Sequence, residues 1–289
     1  MLAWMVYVTV VTLLLGLAAL AAERSAQIRR APTRWIWGVG IVASVALPMA
    51  ISSVSIQLPD LSGAAGRFTP PVFPLRQLTA GALQPSAWLD TTIGPLGRAP
   101  DLDVLLTWAW TAASVLIFLA ILGNGAVVFL RKRSWEGRVI AGAPVFVSED
   151  VGPAVVGLLR PCVVVPRWIE TAAPETQTLV LAHERSHLQA GDAQWLGMAI
   201  LLIAAMPWNL PLWWQLRRLR FAIEVDCDRR VLNAGHDLAR YGETLLMVGE
   251  GQSRPIAVVA AMSESRSFLE QRIRKMIGKQ KKLAWAGAT

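Results

Sequence analysis

The chain has 289 residues, of which 54% are hydrophobic and 17% are charged, and it contains 13 tryptophans. With a mean hydropathy of +0.44, this composition is too apolar for an ordinary soluble domain and indicates a membrane protein. The net charge of +8 comes from cations that flank apolar segments and do not alternate with aromatic residues, so we expect no direct binding of nucleic acid.

Three uncharged runs are long enough to cross a bilayer, which takes about 20 residues in a helix. They cover about residues 1–22, 35–56 and 105–130, and tryptophans lie near their ends. A cleaved signal peptide is the alternative for residues 1–22, but no basic residues precede this run. We therefore predict three transmembrane helices in a membrane region that covers residues 1–133.

The cations predict the orientation of these helices. Four arginines follow the first run, at Arg24, Arg29, Arg30 and Arg34. Loops rich in Lys and Arg stay in the cytoplasm, so residues 57–104 should form a periplasmic loop. We expect a multi-pass protein of the bacterial inner membrane, in contact with lipid, with its N-terminus outside. The part after residue 133 should then be cytoplasmic, and its two cysteines should stay reduced.

Residues 134–250 have the pattern of a cytosolic α+β domain. Short β-branched runs at 144–147 and 162–166 predict a small sheet, and a helix follows that should end near Gly191. An apolar hairpin covers residues 195–216, and three placements remain open for it: re-entrant in the membrane, lying on its surface, or in the core of the domain.

The last part of the chain, residues 251–289, is a basic tail with a helical pattern. We expect it to lead to a fourth membrane helix that this chain does not contain.

The run His183-Glu184-Arg185-Ser186-His187 carries the predicted chemistry. Two imidazoles four residues apart share one helical face and can bind one zinc ion. Glu184 between them can hold and deprotonate a water molecule. A chance match on an ordinary amphipathic helix is the alternative, and it is rare in a chain with 3 histidines. The motif predicts a zinc metallopeptidase.

A catalytic zinc ion normally has three protein ligands, so the motif requires another ligand downstream. Glu224 is the candidate, because it lies on a predicted helix after the apolar hairpin. Asp228 follows four residues later on the same face, where it could accept the ring N–H of a zinc-binding histidine.

These motifs together resemble the BlaR/MecR family of membrane-embedded zinc metallopeptidases. The resemblance rests on the His-Glu-x-x-His region at 180–192, the Trp-Asn-Leu-Pro break at 208–214, the Glu-Val-Asp-Cys-Asp run at 224–228 and the strand region at 152–166. It covers nearly the whole chain, including the three helices and the predicted periplasmic loop.

The resemblance implies an α-helical membrane protein with a cytosolic α+β gluzincin-like zinc peptidase domain that contains a small sheet. It implies that His183, His187 and Glu224 bind zinc, that Glu184 is the general base and that Asp228 supports a ligand from behind. It further implies that the protein transmits an outside signal by cleaving a transcriptional repressor, or itself.

The chain departs from the β-lactam-sensing members of that family. Those members carry a penicillin-binding domain after a fourth membrane helix, and this sequence has no Ser-x-x-Lys or Lys-Thr-Gly motif. Two explanations remain open: the chain is a truncated form, or its signal arrives through the 57–104 loop or through a partner protein.

Four further features each have two interpretations. Tyr241 and His236 could stabilise the transition state as hydrogen-bond donors, although a structural role is favoured for both. Cys227 could bind metal, but packing within its helix is favoured. The strand Val163–Val165 could pair with a substrate or belong to the core.

Two other functions remain open. An HtpX-like or CAAX-prenyl-protease-like quality-control protease would share the membrane helices and both metal motifs. A membrane sensor without catalysis would keep the metal fold, although it would not need Glu184. The oligomeric state is also open, a homo-oligomer included.

Overall fold

The computed structural model describes residues 1–29, 31–53, 100–149, 151–251 and 268–277. Most of the predicted periplasmic loop and most of the tail, including any lead into a fourth membrane helix, lie outside these residues. The described elements, in chain order, are α1 (Leu2–Ile28), α2 (Arg34–Ser53), α3 (Pro100–Lys132), β1 (Glu136–Ile140), β2 (Ala143–Ser148), β3 (Ala154–Val156), β4 (Cys162–Pro166), a 3-10 turn (Arg167–Thr171), α4 (Pro174–Ala190), α5 (Asp192–Ala205), α6 (Leu210–Asn233), α7 (Leu238–Gly251) and a helical segment over 268–277.

The helices α1, α2 and α3 correspond to the three predicted membrane spans, and each is long and apolar enough to cross a bilayer. Helix α1 continues to Ile28, beyond the predicted end at residue 22, because the charged Glu23 is buried against hydrogen-bonding partners. Pro48 lies inside α2, as a membrane helix permits. Among the described residues, none buries the apolar stretch of α3, which suits a surface that faces lipid.

The apolar hairpin is formed by α5 and the first half of α6, and it packs along α1 and α2. Asn209 caps the start of α6, and its side-chain amide donates to Thr12 Oγ1 at 2.9 Å. The Gln215 side chain donates to the Thr12 carbonyl oxygen, also at 2.9 Å. The tip of the hairpin reaches the start of α1, where the Trp4 and Trp208 rings are 6.0 Å apart. The hairpin therefore shares one core with the apolar N-terminal helices.

The predicted small sheet is present and has four strands in the order β1-β2-β4-β3. Strand β2 pairs parallel with β4, and the other two pairings are antiparallel. Because β2 and β3 occupy both sides of β4, the interpretation of Val163–Val165 as a strand that pairs with substrate is wrong. All three valines are buried, and Val163 and Val165 lie in the core below α4.

The sheet and α6 together hold α4 in place. Val180 and Leu181 of α4 pack on the sheet, whereas Leu179 packs on Cys227 of α6. Helix α7 and the segment 268–277 join that second cluster through Tyr241 and other apolar residues. Helix α6 thus runs without interruption from the hairpin core to the face of α4 that carries the two motif histidines.

Candidate metal centre

The two motif histidines lie one turn apart on α4 and face the same direction. Their Nε2 atoms are 3.1 Å apart, and their ring centroids are 4.7 Å apart. Helix α4 ends just beyond them at Gly191, which has the left-handed backbone conformation that closes a helix (φ 66°). The helical spacing therefore brings two imidazole nitrogens to one point, as predicted.

Glu224 of α6 completes a triangle of donor atoms with these nitrogens. Its Oε2 lies 3.5 Å from His183 Nε2, and its Oε1 lies 3.7 Å from His187 Nε2. Ligand atoms at about 2.0–2.1 Å from a tetrahedral zinc ion are about 3.3 Å from one another. Two imidazoles and one carboxylate with nearly this spacing have the chemistry and the size of a His₂Glu zinc site.

The other ring nitrogen of His183 is held by a relay of two side chains. Tyr241 Oη lies 2.8 Å from His183 Nδ1 and donates its own proton to Asp228 Oδ1, also at 2.8 Å. Burial and the Asp228 carboxylate raise the pKa of Tyr241 well above its ordinary value, so the hydroxyl keeps its proton. His183 therefore donates from Nδ1, which leaves Nε2 as the nitrogen that faces Glu224 and can bind a metal.

The other ring nitrogen of His187 is held by Asp192, the first residue of α5. The His187 Nδ1 and Asp192 Oδ2 atoms are 2.8 Å apart. Asp192 is buried and also accepts from Arg34 at 2.7 Å and from Arg230 at 3.0 Å. A carboxylate in this position keeps a proton on Nδ1, so Nε2 is the His187 nitrogen that can bind a metal.

Glu184 is buried on α4 beside the two histidines. Burial raises the pKa of Glu184, and the two nearby imidazoles offset this effect only in part. A carboxylate with a raised pKa is a stronger proton acceptor than an exposed one, which suits a general base.

Arg272, on the segment 268–277, also belongs to this cluster. The sequence did not predict its presence there. Its guanidinium contacts both oxygens of Asp228, at 2.9 Å and 2.6 Å, and lies 3.1 Å from Glu224 Oε2. Burial raises the pKa of Glu224, but Arg272 and the two histidines lower that pKa more and hold it well below its ordinary value. Glu224 is therefore ionised at neutral pH, as a metal ligand must be.

Cys227 offers a second donor set. Its Sγ lies 3.3 Å from His183 Nδ1, and the donor atoms of His183, His187 and Cys227 lie within 4.8 Å of one another. Burial raises the pKa of Cys227, but the two histidines lower it to about 7. The sulfur approaches His183 at Nδ1, however, whereas Glu224 approaches it at Nε2.

The structure brings together most of the predicted site residues, with three differences. Asp228 lies 4.0 Å from His183 Nδ1 and reaches it through Tyr241, so it does not accept the ring proton directly. Tyr241 contacts His183 at Nδ1 and not at the nitrogen that faces Glu224, which supports a structural role for Tyr241. His236 lines a surface depression with residues from the start of α4 and of α7.

Two side chains that contact the predicted site residues, Asp192 and Arg272, were not predicted. Asp192 directly follows the helix C-cap after the motif, and an acidic residue in that position is a signal that could have been used. Arg272 has no comparable signal, because it is one of many cations in a basic tail.

Similarity to known proteins covers the part of the chain that holds these residues. Residues 143–277 match the family described as BlaR1 peptidase M56, a range that extends from β2 to the end of the segment with Arg272. Over 119 residues the chain is 27% identical to "Regulatory protein BlaR1" of Bacillus licheniformis. That stretch covers 40% of this chain and 20% of the relative, so the chain spans only a small part of that protein. The match over residues 143–277 and this relative support membership of the BlaR/MecR family of M56 peptidases, which implies a metallopeptidase.

Proposed function

We propose that the protein is a membrane zinc metallopeptidase of the gluzincin type in which His183, His187 and Glu224 bind the metal. The observation that carries this proposal is the convergence of two imidazole Nε2 atoms and one carboxylate on a single point, with both Nδ1 atoms occupied from behind. Such a donor set leaves room for a fourth ligand from solvent, as catalytic zinc sites require.

Zinc bound there would polarise a peptide carbonyl and make water a stronger nucleophile. Glu184 is the general base in this proposal: it accepts a proton from the attacking water and passes it to the amine of the leaving peptide. Its burial beside the histidines supports this role, because the resulting raised pKa favours uptake of a proton.

We assign the third ligand to Glu224 and not to Cys227. The Glu224 oxygens lie near the Nε2 atoms of both histidines, whereas the Cys227 sulfur lies near His183 Nδ1, which already contacts Tyr241. One ring nitrogen of each histidine can bind a shared metal, and the hydrogen bonds favour Nε2.

We further propose that the protein lies in the bacterial inner membrane with its N-terminus outside and its metal centre on the cytoplasmic side. In this proposal it transmits an outside signal by cleaving a transcriptional repressor or itself. The name of the relative in Bacillus licheniformis, a regulatory protein, supports a role in signalling.

Direct contacts between the apolar helices and the metal centre support signal transmission. Glu23 of α1 accepts hydrogen bonds from Trp37 of α2, at 3.0 Å, and from Arg218 of α6. Arg34 at the start of α2 binds Asp192, which holds His187. A shift of α1 or α2 would therefore move the helices that carry the metal ligands.

The first test is the metal content of the detergent-purified protein. We expect one zinc ion per chain in the wild type, and little or none in His183→Ala and Glu224→Ala. Glu184→Gln should keep the zinc ion and lose peptidase activity, because only the base is removed. A well-folded wild type without zinc would contradict the proposed metal site.

The second test is co-expression with candidate repressors encoded beside the protein. Specific cleavage of one repressor, or of the chain itself, that is lost in Glu184→Gln would support signalling by proteolysis. Broad digestion of misfolded membrane proteins would favour the quality-control alternative. Signalling that is unchanged in Glu184→Gln would favour a sensor without catalysis.

A further inference from the structure

We propose that Arg272 is a positioning residue of the metal centre, which holds the carboxylates of Glu224 and Asp228 in the orientation that zinc binding requires. The inference rests on the proposed zinc site and adds to it a side chain far from the motifs in sequence. It gives the segment 268–277 a function in the metal centre.

The geometry of the Arg272 guanidinium carries this inference. The side chain is 2% exposed and forms a fork on Asp228, with Nε 2.9 Å from Oδ2 and Nη2 2.6 Å from Oδ1. Its remaining terminal nitrogen, Nη1, lies 3.1 Å from Glu224 Oε2. One planar group thus fixes two carboxylates that lie one turn apart on α6.

Each of these carboxylates acts on the zinc ligands. Glu224 is itself the proposed third ligand, and Asp228 fixes His183 through the Tyr241 hydroxyl. Without Arg272, the Glu224 side chain could turn away from the histidines, and Asp228 would lose two of its donors. A single guanidinium therefore supports two of the three proposed ligands.

Contacts with α1 and α6 hold the segment 268–277 in the position from which Arg272 reaches Glu224 and Asp228. Phe268 packs edge-on against Phe221 of α6, with ring centroids 5.0 Å apart, and Lys275 lies 4.5 Å above the same Phe221 ring. The Lys275 ammonium is also 3.8 Å from Glu23 of α1. These contacts hold the segment between the end of α1 and the metal centre.

A lysine at this position should not replace the arginine. A guanidinium has five N–H donors in a fixed plane, so it can bind one carboxylate with two bonds and still reach another. An ammonium is a point charge on a flexible stem and cannot hold both carboxylates in the same geometry. Arg272→Lys therefore separates positioning from simple charge neutralisation.

The test is the zinc affinity of the full chain in detergent, measured by competition with a chromophoric chelator after removal of bound metal. We expect Arg272→Ala to bind zinc about 10–100-fold more weakly than the wild type, as is usual when the partner of a metal ligand is lost. Arg272→Lys should remain weak. The matched control is Arg274→Ala, since Arg274 is exposed and pairs with Glu270 on the same segment.

Two further measurements distinguish positioning from a general role in folding. Cobalt substituted at saturating concentration should give an altered visible spectrum in Arg272→Ala and an unchanged one in Arg274→Ala. Added guanidinium ion at low concentration, but not sodium ion, should recover part of the zinc affinity of Arg272→Ala. If Arg272→Ala does not fold, the comparison of Arg272→Lys with the wild type decides.

The inference is overturned if Arg272→Ala binds zinc as tightly as Arg274→Ala, or if Arg272→Lys restores full affinity. Both results would leave the proposed zinc site intact. Absence of zinc binding by the wild type would instead overturn the proposed function itself.

Discussion

Replacement of Asp192 by Asn tests the arrangement behind His187. Asp192 accepts from His187 and Arg230 through Oδ2 and from Arg34 through Oδ1, and it is only 2% exposed. An asparagine of the same shape has one acceptor oxygen and a donor group in place of the other. If the remaining oxygen accepts from His187 and Arg230, the new NH₂ group faces the Arg34 guanidinium, and two donors then oppose each other.

We expect two measurable consequences of Asp192→Asn. Zinc affinity should fall about 10–100-fold, equivalent to about 1.4–2.7 kcal/mol, because His187 loses the carboxylate that keeps its proton on Nδ1. The free energy of unfolding should also fall, by about 1–3 kcal/mol, since one buried acceptor becomes a donor. Chelator competition measures the first effect, and thermal unfolding of the metal-free protein in detergent measures the second.

Asp226→Asn is the matched control. Asp226 is also buried on a helix near the site, but it accepts from the Arg34 backbone N–H at 3.0 Å and pairs with Arg229. Loss of the Asp226 carboxylate should lower the free energy of unfolding without a comparable loss of zinc affinity. Equal zinc binding by Asp192→Asn and the wild type, or an equal loss in Asp226→Asn, would refute the reasoning.

Two other predictions concern the donor set and the hairpin. Burial lowers the pKa of His183, but Cys227 and Glu224 raise it to about 10 in the metal-free cluster. Zinc must therefore displace a proton from His183, and the zinc affinity should rise as the pH rises toward 10. Cys227→Ser should lower that pKa and leave zinc binding at neutral pH intact in titrations at several pH values; loss of zinc would instead identify Cys227 as a ligand. A Cβ atom at Gly16 of α1 would lie 2.6 Å from the Trp214 ring of α6, so Gly16→Ala should lower the free energy of unfolding by about 1–3 kcal/mol. The control is Gly123→Ala, where a Cβ atom meets nothing within 4 Å and thermal unfolding should show no such loss. Equal melting temperatures for the two glycine variants would contradict the packing of the hairpin on α1.

Sequence patterns alone predicted the parts of this protein that depend on short separations along the chain. The uncharged runs predicted the three N-terminal apolar helices, since their hydropathy is a local property. The spacing of His183 and His187 predicted that both rings share one helical face, because the helical period alone requires it. Two β-branched runs predicted the two inner strands of the sheet for the same reason.

Only the tertiary structure decided which distant residues surround that face. Glu224, proposed from its position in the sequence, is brought to the Nε2 atoms by the packing of α6 on α4. Tyr241 lies behind His183, and Arg272 comes from a basic tail whose other cations are indistinguishable from it in sequence. A charged side chain is buried only where opposite charges from other elements meet it, and those meetings depend on how α4, α6 and the segment 268–277 pack. The packing of the hairpin on α1 and α2 likewise depends on long-range contacts, because Asn209 and Gln215 bind Thr12 of α1.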